Sequence, residues 1–364
     1  MASCVIGVDL GGTNVRAQAI YPDGSPAGEY KKNSSFAQQG TDAIIDAVAN
    51  TIREAIAVAQ GEVTAIGLAV PGHIDDEAGL VRWAPNFGRE VDDVFISWKD
   101  IPLKKLIQAQ IDLPVRMGND ANLAALGEYR YGVGENTAKC LVLITIGTGI
   151  GGGVVMAPSS VMGKADGPLV LIGSNAGGAE LGHVIIQAGG LDASAGTYGS
   201  LEAYCQRDGI VRRAQYKLQR TVSPRDSKMW SLVEGNLGRI TPQIIAAAAE
   251  QGDELAIETF EEVGTYLGVG VGSFINVFAP DKLAIGGQIA KAGRFLMDPL
   301  KRSARNTAIP TLFADCNIVE ARLMDDAGIL GHDGLRLLAR ERRGDEEEDQ
   351  QQERRVDERG EVEH

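Results

Sequence analysis

One device is written into this chain twice. CVIGVDLGGTNVRAQAI at 4–20 and CLVLITIGTGIGGGVVM at 140–156 each read as an apolar strand, a turn of glycine and threonine, and a second β-prone strand. A chain of 364 residues is long enough for two packed domains. The repeat therefore implies two lobes, each contributing one hairpin. Backbone N–H groups and a threonine hydroxyl in each turn could hold a polyphosphate between them. Gly147, Gly149, Gly151, Gly152 and Gly153 can adopt positive φ and lack a Cβ, which would let an anion approach the main chain. The plainer alternative is a tight hairpin with no ligand. The second copy also matches G-x-G-x-x-G, but a dinucleotide site would open a helix at that point, and Val154-Val155-Met156 is extended in character. No G-x-x-x-x-G-K-S/T occurs, so a P-loop is excluded.

Around the hairpins stands a small set of groups with chemistry to offer. GNDANLAALGEY at 118–129 puts Asp120 at the mouth of an expected helix, where it either caps the helix or takes a proton from a hydroxyl. Leu113–Met117 reads as the strand that delivers Asn119 and Asp120. Asp9, closing the first strand, can reach a Mg²⁺ ion directly or through water, or simply cap its turn. Val63–Val70 should be a buried strand ending in a sharp turn at Pro71-Gly72. A long loop is expected over 73–88, HIDDEAGLVRWAPNFG, whose Asn86 offers a donor and an acceptor to a sugar hydroxyl or serves a turn. GAELGH at 178–183 sets Glu180 and His183 three residues apart. GTYGSLEAY at 196–204 supplies Glu202 at the start of a helix expected to run through Cys205 and Val211. Glu180, His183 and Glu202 together have hydrogen-bonding capacity suited to a polyol.

The remaining pattern is scaffold. Thr41 is expected to cap an amphipathic helix carrying Ile44, Ile45, Val48, Ile52 and Ile56. AIETFEEVGTYLGVGVGSFINVF at 256–278 reads as one long buried helix rich in small residues. Lys282–Ile285 should be a strand entering a third close-approach turn, Gly286-Gly287-Gln288, suited to a nucleotide base or ribose. A strand at Ile318–Leu323 and a helix from Asp326 to about Glu341 end the patterned chain.

Charge and cysteine usage remove several function classes. Half of the net charge of −14 belongs to the segment 344–364, which has ten Asp or Glu against three Arg. That segment has too little apolar surface to fold, and reads as a disordered tail. The body is acidic as well, which disfavours nucleic acid and anionic membrane as partners. Cys4, Cys140, Cys205 and Cys316 are scattered without C-x-x-C spacing and should be reduced, with Cys4 and Cys140 as small core residues. With no signal peptide and no long apolar run, a cytoplasmic location is the expectation.

With these motifs laid out, the chain resembles the ROK family over residues 4–340, and its glucokinase branch most. DLGGTN at 9–14 is similar to the family's first phosphate motif, although Lys often stands where this chain has Asn14. GNDANLAALGE at 118–128 resembles the catalytic segment, which implies Asp120 as general base. TIGTGIGGG at 145–153 is similar to the second phosphate motif, GAELGH at 178–183 to the sugar-binding one, and IGGQI at 285–289 to the turn near the adenosine. The resemblance implies an α/β fold of the two-lobed, actin-like (ribonuclease H-like) hexokinase/ROK type. A small lobe over 1–117, joined by the helix at 326–341, would precede a large lobe over 118–325, with 342–364 as the tail.

The resemblance also implies ATP-dependent phosphorylation of the 6-hydroxyl of glucose, with Mg²⁺. Nucleotide contacts would come from Asp9, Gly11, Gly12, Thr13, Asn14, Gly147, Thr148, Gly149, Gly286, Gly287 and Gln288. Sugar contacts would come from Pro71, Gly72, Asn86, Asn119, Asp120, Glu180, His183 and Glu202. Fructose, mannose or an N-acetylhexosamine remain open as acceptors, and polyphosphate as donor. A homodimer is implied. A sugar-responsive repressor is the alternative from a different class, disfavoured because only three residues precede Cys4.

One departure stands out. Many family members carry a zinc site made of a histidine and C-x-C-G-x-x-G-C-x-E. The matching positions 193–202 read ASAGTYGSLE. All three thiolates are missing and His183 alone cannot build a tetrahedral site, so no structural zinc is expected.

Overall fold

The computed structural model describes residues 2–162, 167–193 and 196–331. Most of the helix expected over 326–341, and the whole acidic tail, lie outside the described residues. The chain groups into two units. One comprises 2–123, 157–162, 167–169 and 328–331; the other comprises 124–156 and 170–327 without 194 and 195.

The first unit begins with β1 (Ser3–Leu10), β2 (Asn14–Ile20), β3 (Lys31–Ser34), α1 (Thr41–Ala57) and β4 (Glu62–Val70). It continues with β5 (His73–Asp75), β6 (Leu80–Val91), β7 (Val94–Ile101), α2 (Leu103–Gln108), β8 (Val115–Asn119) and the opening of α3 (Asp120–Arg130). Every β1 residue after Ser3 is buried, as a strand covered on both faces must be. It pairs antiparallel with β2 and parallel with β4, giving the sheet order β3-β2-β1-β4-β8. The chain returns to this sheet near its described end. A Cβ at Gly7 would lie 2.5 Å from the carbonyl of Ile329, so the crossing requires glycine.

The second unit contains β9 (Cys140–Ile146), β10 (Ile150–Met156), β11 (Leu169–Val170, at its border), α4 (Leu201–Cys205), α5 (Arg207–Arg220), α6 (Lys228–Leu232) and α7 (Pro242–Glu250). Then come α8 (Glu254–Phe278), β12 (Lys282–Gly286), α9 (Arg294–Thr307), α10 (Pro310–Asp315) and β13 (Asn317–Glu320). Its sheet order, β11-β10-β9-β12-β13, repeats the first: a hairpin whose opening strand is flanked on the far side by two parallel strands. The device seen twice in the sequence is thus the seed of two like sheets, the actin-like, ribonuclease H-like α/β plan.

Several local expectations are corrected. The loop expected over 73–88 is an antiparallel sheet of β5, β6 and β7. Register jumps between Ala84 and Gly88, so Pro85, Asn86 and Phe87 form a bulge. The bulge absorbs a proline that cannot donate to the ladder and still buries Phe87 against Trp98, ring centroids 5.3 Å apart. Thr41 does not cap α1. Gly40 occupies that position, and the Thr41 hydroxyl accepts a hydrogen bond from Trp98 Nε1 at 3.1 Å. The helix after Glu202 does not run on through Val211; it breaks at Gln206 (ψ 165°) and restarts as α5.

The long helix is α8, whose Gly264, Gly268 and Gly272 form a stripe. A Cβ on them would come within 2.4–2.6 Å of Pro299, Ser303 and Thr307, so the stripe lets α9, which the sequence pattern did not reveal, pack directly on the α8 backbone.

Candidate active site

In the first unit, two strand ends deliver carboxylates. Asp9 lies opposite Arg16 in the β1–β2 register and forms an ion pair with it while only 8% exposed. Burial works against the Arg16 guanidinium's charge, but the Asp9 carboxylate and, to a lesser degree, Tyr30 together outweigh it, so the arginine's pKa is raised. Next to Asp9, the four-residue turn Gly11–Asn14 is closed by the Gly11 N–H donating to Asn14 O at 2.9 Å, and Thr13 stands exposed. A Cβ on Gly12 would meet nothing within 4 Å among the described residues.

Parallel to β1, β4 ends at Pro71-Gly72 and β8 at Asn119. Gly72 has φ 103° and a Cβ there would lie 2.1 Å from Trp83 O, so no other residue fits. The Gly72 carbonyl accepts from Asn119 Nδ2 at 3.0 Å, and Asn119 Oδ1 accepts from the Asn122 N–H at 3.1 Å. Asn119 is therefore the residue that caps α3, a role worth about 1 kcal/mol. Asp120 becomes the first residue of the helix, half-buried, with Oδ1 accepting from the Ala121 N–H at 2.8 Å. The choice between cap and chemistry left open for Asp120 is narrowed, because its neighbour takes the cap. The helix start also favours negative charge. Asn86, on the β6 bulge, is exposed.

In the second unit, the turn is Gly147-Thr148-Gly149, closed by the Gly147 N–H donating to Gly149 O at 2.9 Å. Gly151, Gly152 and Gly153 belong to β10, opposite Thr145, Ile144 and Leu143. None of the five glycines takes positive φ, so the sequence-based reason for them is corrected. At Gly149 and Gly152 the reason is space. A Cβ on Gly149 would lie 2.6 Å from Glu202 Oε2, and one on Gly152 2.5 Å from Leu181 Cγ. One on Gly182 would lie 2.2 Å from Ile150 O, so the Glu180–His183 segment crosses hard against β10. At Gly147 the Cβ position is open among the described residues.

The polyol set surrounds this turn. Glu202, 8% exposed in the first turn of α4, accepts from the Ile150 N–H at 2.8 Å. Ser200 caps that helix, accepting from the Ala203 N–H at 3.3 Å. Glu180 is exposed, its carboxylate 4.0 Å from His183 Nε2. His183 Nδ1 is enclosed and has no hydrogen-bond partner among the described residues. The helix restart is a contact the sequence did not reveal: the Arg207 N–H donates to Gly147 O at 2.9 Å, fixing the start of α5 to the turn. β12 runs beside β9, and Gly287, φ 84°, would place a Cβ 2.3 Å from Ile146 O. Gly286, Gly287 and the exposed Gln288 thereby lie alongside the Gly147–Gly149 turn.

Around the segment 193–202 the described residues make the following bonds. Gly199 N–H donates to Leu191 O at 2.7 Å, Ile186 N–H to Gly199 O at 2.9 Å, and Leu191 N–H to Tyr204 Oη at 3.0 Å. Ser194 and Ala195 lie outside the described residues. Cys4, Cys140 and Cys205 are buried, and burial pushes the Cys140 thiol up to about 12 and Cys205 further. They are core residues, without nucleophilic character. A cavity of about 830 Å³ against α5 and α8, with Tyr204, Arg213, Lys217, Glu258 and Glu262 in its wall, is lined by none of the predicted site residues.

Known proteins resemble this whole arrangement. The glucokinase of Thermotoga maritima is 34% identical over 330 residues, 90% of this chain and 95% of that protein. The crystal structure of a ROK family glucokinase from Streptomyces griseus in complex with glucose and AMPPNP matches with a TM-score of 0.73 and 30% identity, covering 91% of this chain and 98% of that one. A ROK family transcriptional regulator, homologous to the Escherichia coli Mlc protein, matches with a TM-score of 0.75 and 25% identity, covering 93% of this chain and 81% of that one. The ROK family model matches residues 5–337, and the chain belongs to the ROK family.

Proposed function

We propose that this protein is an ATP-dependent glucokinase that transfers the γ-phosphoryl group to the 6-hydroxyl of glucose. The observation that carries the reading is the pair Gly12 and Gly147. Neither lies at positive φ, and a Cβ on either would touch nothing among the described residues. Neither backbone conformation nor packing explains glycine at these points, one in each turn. Room kept for a ligand against the main chain does.

In this mechanism each turn offers N–H groups and a threonine hydroxyl, Thr13 or Thr148, to nucleotide phosphate. Asp120 accepts the proton of the sugar hydroxyl as that oxygen bonds to phosphorus. The bond from phosphorus to the bridging oxygen breaks, and ADP leaves with the electron pair. Asn119, held by Gly72, and the set Glu180, His183 and Glu202 orient the sugar. Asp9 is a fitting residue for Mg²⁺, because an ion that travels with a triphosphate needs only one or two protein carboxylates. Bound there, the ion would neutralise phosphate charge. The protein would act as a cytoplasmic homodimer.

A coupled phosphorylation assay over glucose, fructose, mannose and N-acetylhexosamines, with ATP and polyphosphate as donors, tests the assignment. Glucose with ATP should have the highest kcat/KM; a different preferred sugar would keep the kinase and replace the substrate. Asp120→Ala should lower kcat by at least about 10²-fold with an unchanged melting temperature. Near-normal turnover would remove Asp120 from the role. The match to a transcriptional regulator favours sugar-responsive binding without chemistry as the second reading, which sugar binding with no phosphorylation of any acceptor would select.

A further inference from the structure

We propose that Glu202 is a positioning residue for the nucleotide, holding the Gly147–Gly149 turn in its phosphate-binding shape, in addition to any contact with the sugar. This rests on the kinase reading above.

Three observations converge on one carboxylate oxygen. Glu202 Oε2 accepts the Ile150 N–H at 2.8 Å, the first residue after the turn. The same oxygen lies where a Gly149 Cβ would intrude at 2.6 Å, so turn and carboxylate are fitted to one another. The side chain is 8% exposed, which keeps water from competing for that bond and strengthens it. Its backbone is equally fixed: Glu202 sits in the first turn of α4, capped by Ser200, and the preceding Leu201 N–H donates to Val184 O at 2.9 Å. On the far side of Gln206, the Arg207 N–H holds Gly147 O. The segment 202–207 therefore grips both ends of the three-residue turn, by a carboxylate at one end and an N–H at the other. A residue assigned only to the sugar would not need to reach the Ile150 main chain.

The experiment is calorimetric titration of AMPPNP with Mg²⁺ into the full-length protein in the absence of sugar. Glu202→Ala should weaken AMPPNP binding by about tenfold or more, the scale of a charge-assisted hydrogen bond. Glu202→Gln, whose amide oxygen can still accept from Ile150, should stay within about threefold of wild type. Glu180→Ala should reduce sugar affinity and leave AMPPNP binding unchanged. Should Glu202→Ala not fold, Gly149→Ala presses on the same oxygen from the turn side and should weaken AMPPNP likewise. Unchanged AMPPNP affinity in folded Glu202→Ala, with sugar affinity alone reduced, would overturn the proposal. Failure of the kinase reading is distinguishable: wild type would then bind no AMPPNP. The pinning itself is read separately by amide exchange at Ile150, which should quicken in Glu202→Ala; unchanged exchange counts against the proposal.

Discussion

The two glycine turns look alike in sequence and are built differently. Gly11–Asn14 is an open turn: Gly12 has nothing near its Cβ position, Thr13 is exposed, and the ties to its surroundings are main-chain bonds such as Ser35 N–H to Thr13 O at 3.1 Å. Gly147–Gly149 is a crowded one. Glu202, Leu181, Gly182 and Gly287 press on the hairpin within distances no Cβ could share. Each turn keeps one open glycine, Gly12 or Gly147, and only the second surrounds it with glycines required by neighbours. On the proposed reading the same residue type answers two demands, room for a ligand and room for the protein itself, and substitutions can separate them.

The largest effect should come where backbone meets backbone. Gly182→Ala sets a Cβ 2.2 Å from Ile150 O and should cost at least about 3 kcal/mol of stability in urea unfolding, since neither main chain can give way. A loss under about 1 kcal/mol would break the contrast between crowded and open turns. Gly152→Ala comes next, at about 2 kcal/mol: Leu181 Cγ at 2.5 Å can turn aside, while Leu181 Cβ at 2.6 Å and Ala179 O at 2.8 Å move only with their main chain. The smallest stability change, within about 0.5 kcal/mol, is expected for Gly12→Ala and Gly147→Ala. Those two sharpen the comparison from the other side: KM for ATP should rise at least about tenfold while the unfolding midpoint stays put. Unaltered kinetics would mean the open space holds no ligand.

Much of the site was legible because its signals are local. An apolar strand ending in Gly and Thr, an Asp at a helix start, and Glu180 near His183 are all visible within ten residues. What escaped depended on partners distant in sequence. Pro85, Asn86 and Gly88 gave turn signals, yet the bulge against β7 makes them part of a strand, which becomes clear only when Trp98 is seen packing on Phe87. Helix α9 was missed because its cover is the glycine stripe of α8, a recognition between elements rather than a pattern within one. The break at Gln206 carries no glycine or proline to announce it; its reason is the Arg207 N–H meeting the Gly147 carbonyl. The cap of α3 is Asn119, whereas the sequence left capping open as one of two roles for Asp120.

The sequence by itself determined the two hairpins, the strands that carry them and the carboxylate at the start of α3. Those follow from periodicity and residue type, which act over a few residues at a time. Only the tertiary structure decided why each glycine is a glycine and what Glu202 holds. Close packing is a property of pairs of surfaces, and whether a Cβ has room depends on atoms brought in from elsewhere in the chain.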